Sequence, residues 1–344
     1  MEKNITRRDF LGAAAGAAAF TIIKPERVRG AEANEKIKLG LIGCGGRGTW
    51  LADIFAKHGG YELWAAADYF EERVNAFGEK FAIPAARRFT TLSGYKKLLE
   101  CGVEAVAVET PAYFHPEQAA AGVEAGCHVY VAKPVAVDIP GCRTIEESGN
   151  KATEKGLCFL VDFQTRTNEF FIEAVRRVHD GTIGEIAFGE ATYHCDRLGI
   201  QAQPGTPEAL LLNWFFEKTL SGDIITEQNI HTLDVMNWIM GVPPLLATGT
   251  GGRKVRVDVG DCWDHFAVLY QYPNGVGITF SSRQFAGYGT PEGIKNRMFG
   301  SKGVLETEYG GNVMIRGETS YRGGKTPQIY YEGAAQNVKT FYEN

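Results

Sequence analysis

The chain has 344 residues, 44% of them hydrophobic and 22% charged, with a formal net charge of −5. That length supports two domains with sizeable cores, and the slightly acidic balance offers no basic face for nucleic acid, so a small-molecule partner is expected. Seven cysteines, an odd number with no C-x-x-C pair, argue against a disulfide framework or a structural zinc site, and no metal centre is expected.

The first segment reads as a targeting signal. Thr6-Arg7-Arg8-Asp9-Phe10-Leu11 looks like a twin-arginine export motif, followed by an apolar stretch over 11–23 and the small-residue site Ala31-Glu32-Ala33. Residues 1–33 therefore read as a twin-arginine signal peptide, too short in its apolar part to span a bilayer. The expectation is a periplasmic protein handed to the twin-arginine translocation machinery. Nothing later approaches the roughly 20 consecutive apolar residues that a membrane helix needs.

From 34 to 163 short apolar runs alternate with helical periodicity. The pattern predicts strands at 37–42, 62–67, 105–108, 129–131 and 158–161, and helices at 49–57, 71–81, 94–100, 116–124 and 139–154. Such alternation produces right-handed parallel βαβ units, a doubly wound α/β sheet. From 164 to 344 the character changes. A helix near 169–178 precedes longer strands at 186–194, 266–271, 276–282 and 303–307, two of them joined by the turn Pro273-Asn274-Gly275. This half reads as an α+β domain with an open, mainly antiparallel sheet, and a ligand is expected between the two halves.

Gly43-Cys44-Gly45-Gly46-Arg47-Gly48 follows the first strand and opens a helix, the context that makes G-x-G-x-x-G a dinucleotide fingerprint of the Rossmann type. Gly43 permits the tight turn, Gly45 and Gly46 let a diphosphate approach the backbone, and Gly48 lets helix and strand pack closely. Asp68 ends the second strand, where an acid binds the ribose hydroxyls and repels a 2′-phosphate, favouring NAD. Arg47 and Arg73 keep NADP open.

Loops at the carboxyl ends of parallel strands carry the ligand contacts of such a sheet. One holds Thr110-Pro111-Ala112-Tyr113-Phe114-His115 and the next Ala132-Lys133-Pro134. In the second half Glu227 and His231 stand four apart, so on one helix they share a face. A carboxylate beside an imidazole stabilises its charged form and suits acid–base work; a structural ion pair or a metal site has the same spacing.

These elements, in this order and spacing, resemble the Gfo/Idh/MocA oxidoreductases from about residue 36 onward, including Gly181-Thr182-Ile183-Gly184-Glu185-Ile186 and Phe299-Gly300-Ser301-Lys302-Gly303. The resemblance implies a Rossmann domain over 34–163 and a substrate-binding domain over 164–344 whose open sheet mediates homo-oligomers. It implies that Thr110, Pro111, His115, Lys133 and Pro134 join the glycine loop around the cofactor. Lys133 and His231, with Glu227, would flank the hydroxyl that loses its proton, and Gln164, Arg166, Tyr193 and Asn229 are further candidates for the substrate pocket. Two positions depart from the family pattern: Ala132 stands where the family has Glu before Lys-Pro, and Glu227 where it has Asp. Residues 337–344 look like the start of a helix, and relatives commonly continue beyond such a point, so the sequence is expected to be incomplete.

Export sharpens the expected chemistry. Outside the cytoplasm little free NAD is available, so the cofactor should travel tightly bound and be regenerated in place. The first expectation is a sugar or polyol oxidoreductase. The alternative is an NAD-dependent glycoside hydrolase working by transient oxidation, elimination and re-reduction. A cofactor-stabilised sugar-binding protein is the non-enzymatic alternative.

Overall fold

The computed structural model describes residues 36–291 and 293–344; the signal-peptide reading lies outside the described residues. Six strands, β1 (Ile37–Ile42), β2 (Tyr61–Asp68), β3 (Arg88–Thr90), β4 (Ala105–Val108), β5 (His128–Ala132) and β6 (Phe159–Asp162), form one sheet in the order β3-β2-β1-β4-β5-β6. Every neighbouring pair runs parallel. All four residues of β4 are buried, which a strand covered by helices on both faces requires. Those helices are α1 (Gly46–His58), α2 (Glu71–Lys80), α3 (Gly94–Leu99), α4 (His115–Glu124) and α5 (Ile139–Glu154). The strand order reverses between β1 and β4, and a doubly wound sheet binds its ligand at that switch.

Helix α1 opens at Gly46, not at 49, so the glycine motif itself makes the first helical turn. β3 was not expected, because three half-buried residues carry no apolar periodicity.

The second sheet has eight strands: β7 (Ile186–Cys195), β8 (Leu246–Gly252), β9 (His265–Gln271), β10 (Gly277–Gln284), β11 (Gly293–Gly300), β12 (Gly303–Glu308), β13 (Asn312–Gly317) and β14 (Tyr321–Lys325). Their order is β14-β13-β12-β11-β7-β10-β9-β8, with only β7 and β10 parallel among these pairs. The expected turn joins β9 to β10. Asn274 takes φ 63° there, and the Tyr272 N–H donates to the Val276 carbonyl at 2.8 Å. Helices α6 (Glu169–His179) and α7 (Ile230–Met240) cover one face and share a core with Ile278, Phe280 and Met298.

Helix α8 (Ile329–Glu343) leaves this sheet and packs on the first one. Its Ala334, Val338 and Phe341 join the core of Leu39, Leu41 and Tyr130, and the Tyr61 hydroxyl donates to the Val338 carbonyl at 3.0 Å. A boundary at residue 164 therefore divides the chain but not the packing. No helix among the described residues is long and apolar enough to cross a membrane.

Candidate active site

A cavity of about 430 Å³ opens at the switch point, between the glycine loop and the residues that precede α7. Gly43 has φ +99°, which a side chain rarely adopts, and a Cβ there would lie 2.6 Å from the Glu109 carbonyl oxygen. A Cβ at Gly48 would run into the Gly43 carbonyl oxygen. Gly45 and Gly46 face the cavity instead, with nothing within 4 Å of a Cβ at Gly46. The first N–H groups of α1 lack intrahelical acceptors, so this edge is a ready anion cradle.

Asp68 lies across the loop from α1. Its Oδ2 accepts the Cys44 N–H at 2.7 Å and its Oδ1 the Phe70 N–H at 2.9 Å. Burial pushes this carboxyl up, while those two N–H groups and Arg73 pull it back down. Each oxygen keeps a lone pair for a ribose hydroxyl. Arg73 lines this end of the cavity, over the Phe70 ring at 5.0 Å. Arg47 does not serve this end. Its Nε reaches Glu109 Oε2 at 3.3 Å and its Nη2 pairs with Asp162, with the guanidinium 4.8 Å from the Trp50 ring and 5.0 Å from that of Tyr330. Of the two arginines that left NADP open, only Arg73 remains beside Asp68.

Lys133 and His231 both line the cavity, as do Thr110, Pro111, Gln164 and Glu227. Lys133 Nζ donates to the Glu227 carbonyl at 2.7 Å and to Glu227 Oε1 at 3.3 Å. The expected Glu227–His231 helical pair is absent in that form. Glu227 ends the short helix Asp223–Glu227 and His231 lies in the first turn of α7, so the helix breaks between them and the carboxylate turns to Lys133. His231 is 8% exposed, with Nδ1 buried and unpartnered. Burial, then the charges of Lys133 and Arg47, push its pKa well below the usual histidine range. Burial thus favours the neutral ring, where the expected carboxylate neighbour would have favoured the charged one.

Five expected site residues stay off the cavity wall. His115 is a buried brace whose ring nitrogens face the Thr110 carbonyl at 2.7 Å and the Pro134 carbonyl at 2.8 Å, tying two cavity loops together. Pro134 acts through that carbonyl, following a cis Lys133–Pro134 peptide bond. Arg166 forms a two-pronged pair with Asp234, both bonds 2.8 Å, over the Trp238 ring. Tyr193 lies in the core of the second sheet, because β7 turns that side chain towards α6 and α7. Asn229 is buried with both side-chain polar atoms unpartnered.

The structure adds residues that motif reading passed over. Glu109 directly follows β4, one position before the recognised Thr110, and its side chain is fully buried at the cavity edge. Trp214, Phe215 and Tyr330 supply aromatic walls from segments without a readable motif.

A nicotinamide dinucleotide suits this donor set. The glycine loop leaves room where a Cβ would intrude, the helix start offers N–H donors to the diphosphate, and Asp68 stands ready for a ribose. Together they define a dinucleotide-binding α/β oxidoreductase. Residues 37–163 match the oxidoreductase family with an NAD-binding Rossmann fold, and residues 171–306 match the Gfo/Idh/MocA C-terminal domain. The chain belongs to the Gfo/Idh/MocA family, and with that membership is an NAD-binding oxidoreductase acting on CH–OH groups. It is similar to the myo-inositol 2-dehydrogenase of Thermotoga maritima, 25% identical over 321 residues that cover 90% of this chain and 88% of that one. The inositol 2-dehydrogenase of Rhizobium meliloti is 23% identical over 274 residues, covering 79% and 76%. The fold matches that of the aldose-aldose oxidoreductase from Caulobacter crescentus crystallised with glycerol, with a TM-score of 0.72 at 19% identity over 90% and 89% of the chains.

Proposed function

We propose that the chain oxidises a secondary hydroxyl of a sugar, polyol or glycoside, with Lys133 and His231 managing the proton. The observation that carries this reading is a buried imidazole with an unpartnered Nδ1 on the same cavity wall as a lysine, facing the glycine loop. When bound, the nicotinamide supplies the hydride acceptor. Lys133, anchored by Glu227, donates a hydrogen bond to the substrate oxygen and lowers the cost of removing its proton. The neutral His231 takes that proton as the C–H bond yields its electron pair, leaving a carbonyl carbon. Trp214 and Phe215 offer faces to the C–H side of a ring and keep water out. Gln164, whose Nε2 donates to Asp162 at 3.1 Å, presents polar atoms to the hydroxyls.

Asp68 favours NAD over NADP, and the twin-arginine motif at Arg7-Arg8 supports export to the periplasm with the cofactor already in place. The cofactor is then tightly held, and a second carbonyl substrate regenerates it.

The test is to purify the protein from periplasmic extract, measure the NAD that accompanies it, and supply sugars, polyols and glycosides. Carbonyl product matched by reduced cofactor or acceptor supports the reading. Aglycone released without net reduction instead assigns the redox-neutral glycoside hydrolase. His231→Ala should lower kcat by about 10²- to 10⁴-fold, with NAD affinity kept; full activity in that variant rejects the assignment.

A further inference from the structure

Beneath the glycine loop one cation serves two buried acids. Arg47 meets Glu109 and Asp162, whose side chains are both fully buried. The two acids are not equally provided for. Asp162 also accepts the Asn337 amide at 2.7 Å and the Gln164 amide at 3.1 Å. Among the described residues Glu109 accepts only from the Arg47 Nε, at 3.3 Å, and its Oε1 is buried without any partner at the cavity edge.

A carboxylate so poorly supplied with donors is costly in a dry site, and the cost falls if it keeps its proton. Its location adds a second reason. The Glu109 carbonyl oxygen lies 2.6 Å from a Cβ built on Gly43, and its own Cβ lies 3.4 Å from one built on Gly48. The residue therefore backs onto the loop that cradles an anion, and its carboxyl meets Arg47 of that loop at the cavity edge. An ionised Glu109 repels a diphosphate there, whereas the neutral acid does not and offers an O–H to donate.

We propose that Glu109 is a further cofactor-binding residue that accepts the dinucleotide only in its protonated form, so that its ionisation loosens the cofactor. The inference rests on the dinucleotide reading of the cavity. The groups facing Glu109 are Arg47 from α1, Asp162 at the end of β6, Tyr130 from β5 and Lys133 just after it. Burial pushes Glu109 up, Arg47 opposes it, and Asp162 raises it further, to about 7. Tyr130, fully buried, is pushed well above its ordinary value and holds its proton throughout the neutral range.

The experiment is calorimetric titration of the cofactor-free full chain with NAD at pH 6, 7 and 8, in buffers of different ionisation enthalpy. The wild type is expected to take up a proton on binding, approaching one per site above pH 7. With Glu109 titrating at about 7, the affinity should fall about twofold from pH 6 to 7 and about five- to sixfold from pH 7 to 8. Glu109→Gln, permanently neutral, should bind with no proton uptake and a Kd that is flat with pH. Binding without proton uptake in the wild type, or equal uptake in Glu109→Gln, overturns the role of Glu109 while leaving the dinucleotide site intact. No NAD binding at any pH overturns both. Should Glu109→Gln fail to fold, Glu109→Ala, equally unable to take up a proton, decides the matter in the same titration.

Discussion

His231 meets no carboxylate at its Nδ1, and the nearest charges on it are cationic. An unfolded imidazole takes a proton below about pH 6.5; this one, held neutral by burial, does not. The unfolded chain therefore binds more protons there, and stability falls as pH drops below that point. Urea unfolding between pH 5 and 8 should show the slope, and His231→Asn should reduce it. With the cofactor saturating, kcat should stay level from pH 8 to 6, where a free histidine would lose its base form. At this scale the sequence was legible where a motif fixes the backbone: Gly43, Gly48 and Asp68 sit as their spacing predicts. It misled where partners come from distant segments. Glu227 pairs with a lysine 94 residues earlier, and Arg47 with an acid 115 residues later, neither of which local spacing encodes.

The glycine loop sets the tolerance of α1 and β1. Gly48→Ala drives a methyl into the Gly43 carbonyl oxygen, so helix and strand must part. The expected outcome is loss of NAD binding by calorimetry, with a lowered melting temperature. Helix α6 depends on its cap instead: Asn168 Oδ1 accepts the N–H groups of Phe170 at 3.1 Å and Phe171 at 3.3 Å. Asn168→Ala should cost about 1 kcal/mol in denaturant unfolding. Four strands of the second sheet escaped sequence reading, the interior β11 and β13 and the two edge strands, and only the edge pair has a plain cause. β8 runs Leu-Ala-Thr-Gly-Thr-Gly-Gly at an edge with most residues exposed, and β14 carries two glycines at the other edge. Edge strands bury too little to leave an apolar period of two. The central strands of the first sheet, apolar almost throughout, were plain.

Across the whole molecule, α8 is the piece whose place the sequence did not disclose. A helix was expected to begin at 337, yet it begins at Ile329, and nothing in its amphipathic pattern names the sheet it covers. Phe341 is 4% exposed and meets the rings of Tyr130 at 5.6 Å and Phe55 at 6.4 Å, edge-on in both cases. Phe341→Ala should cost about 3–5 kcal/mol, and because the lost contacts lie beneath the glycine loop's own sheet, NAD should protect the variant against melting less than it protects the wild type.

The bond from the Tyr61 hydroxyl to the Val338 carbonyl spans 277 residues. A growing chain emerges amino end first, so the core of the first sheet stays open on one side until the residues beyond 328 have been synthesised. Contacts of such long range slow folding, because a large loop must close before they are rewarded. The core beneath the nucleotide cradle is thus closed only by the last helix of the chain, not by the local βαβ units that build the sheet.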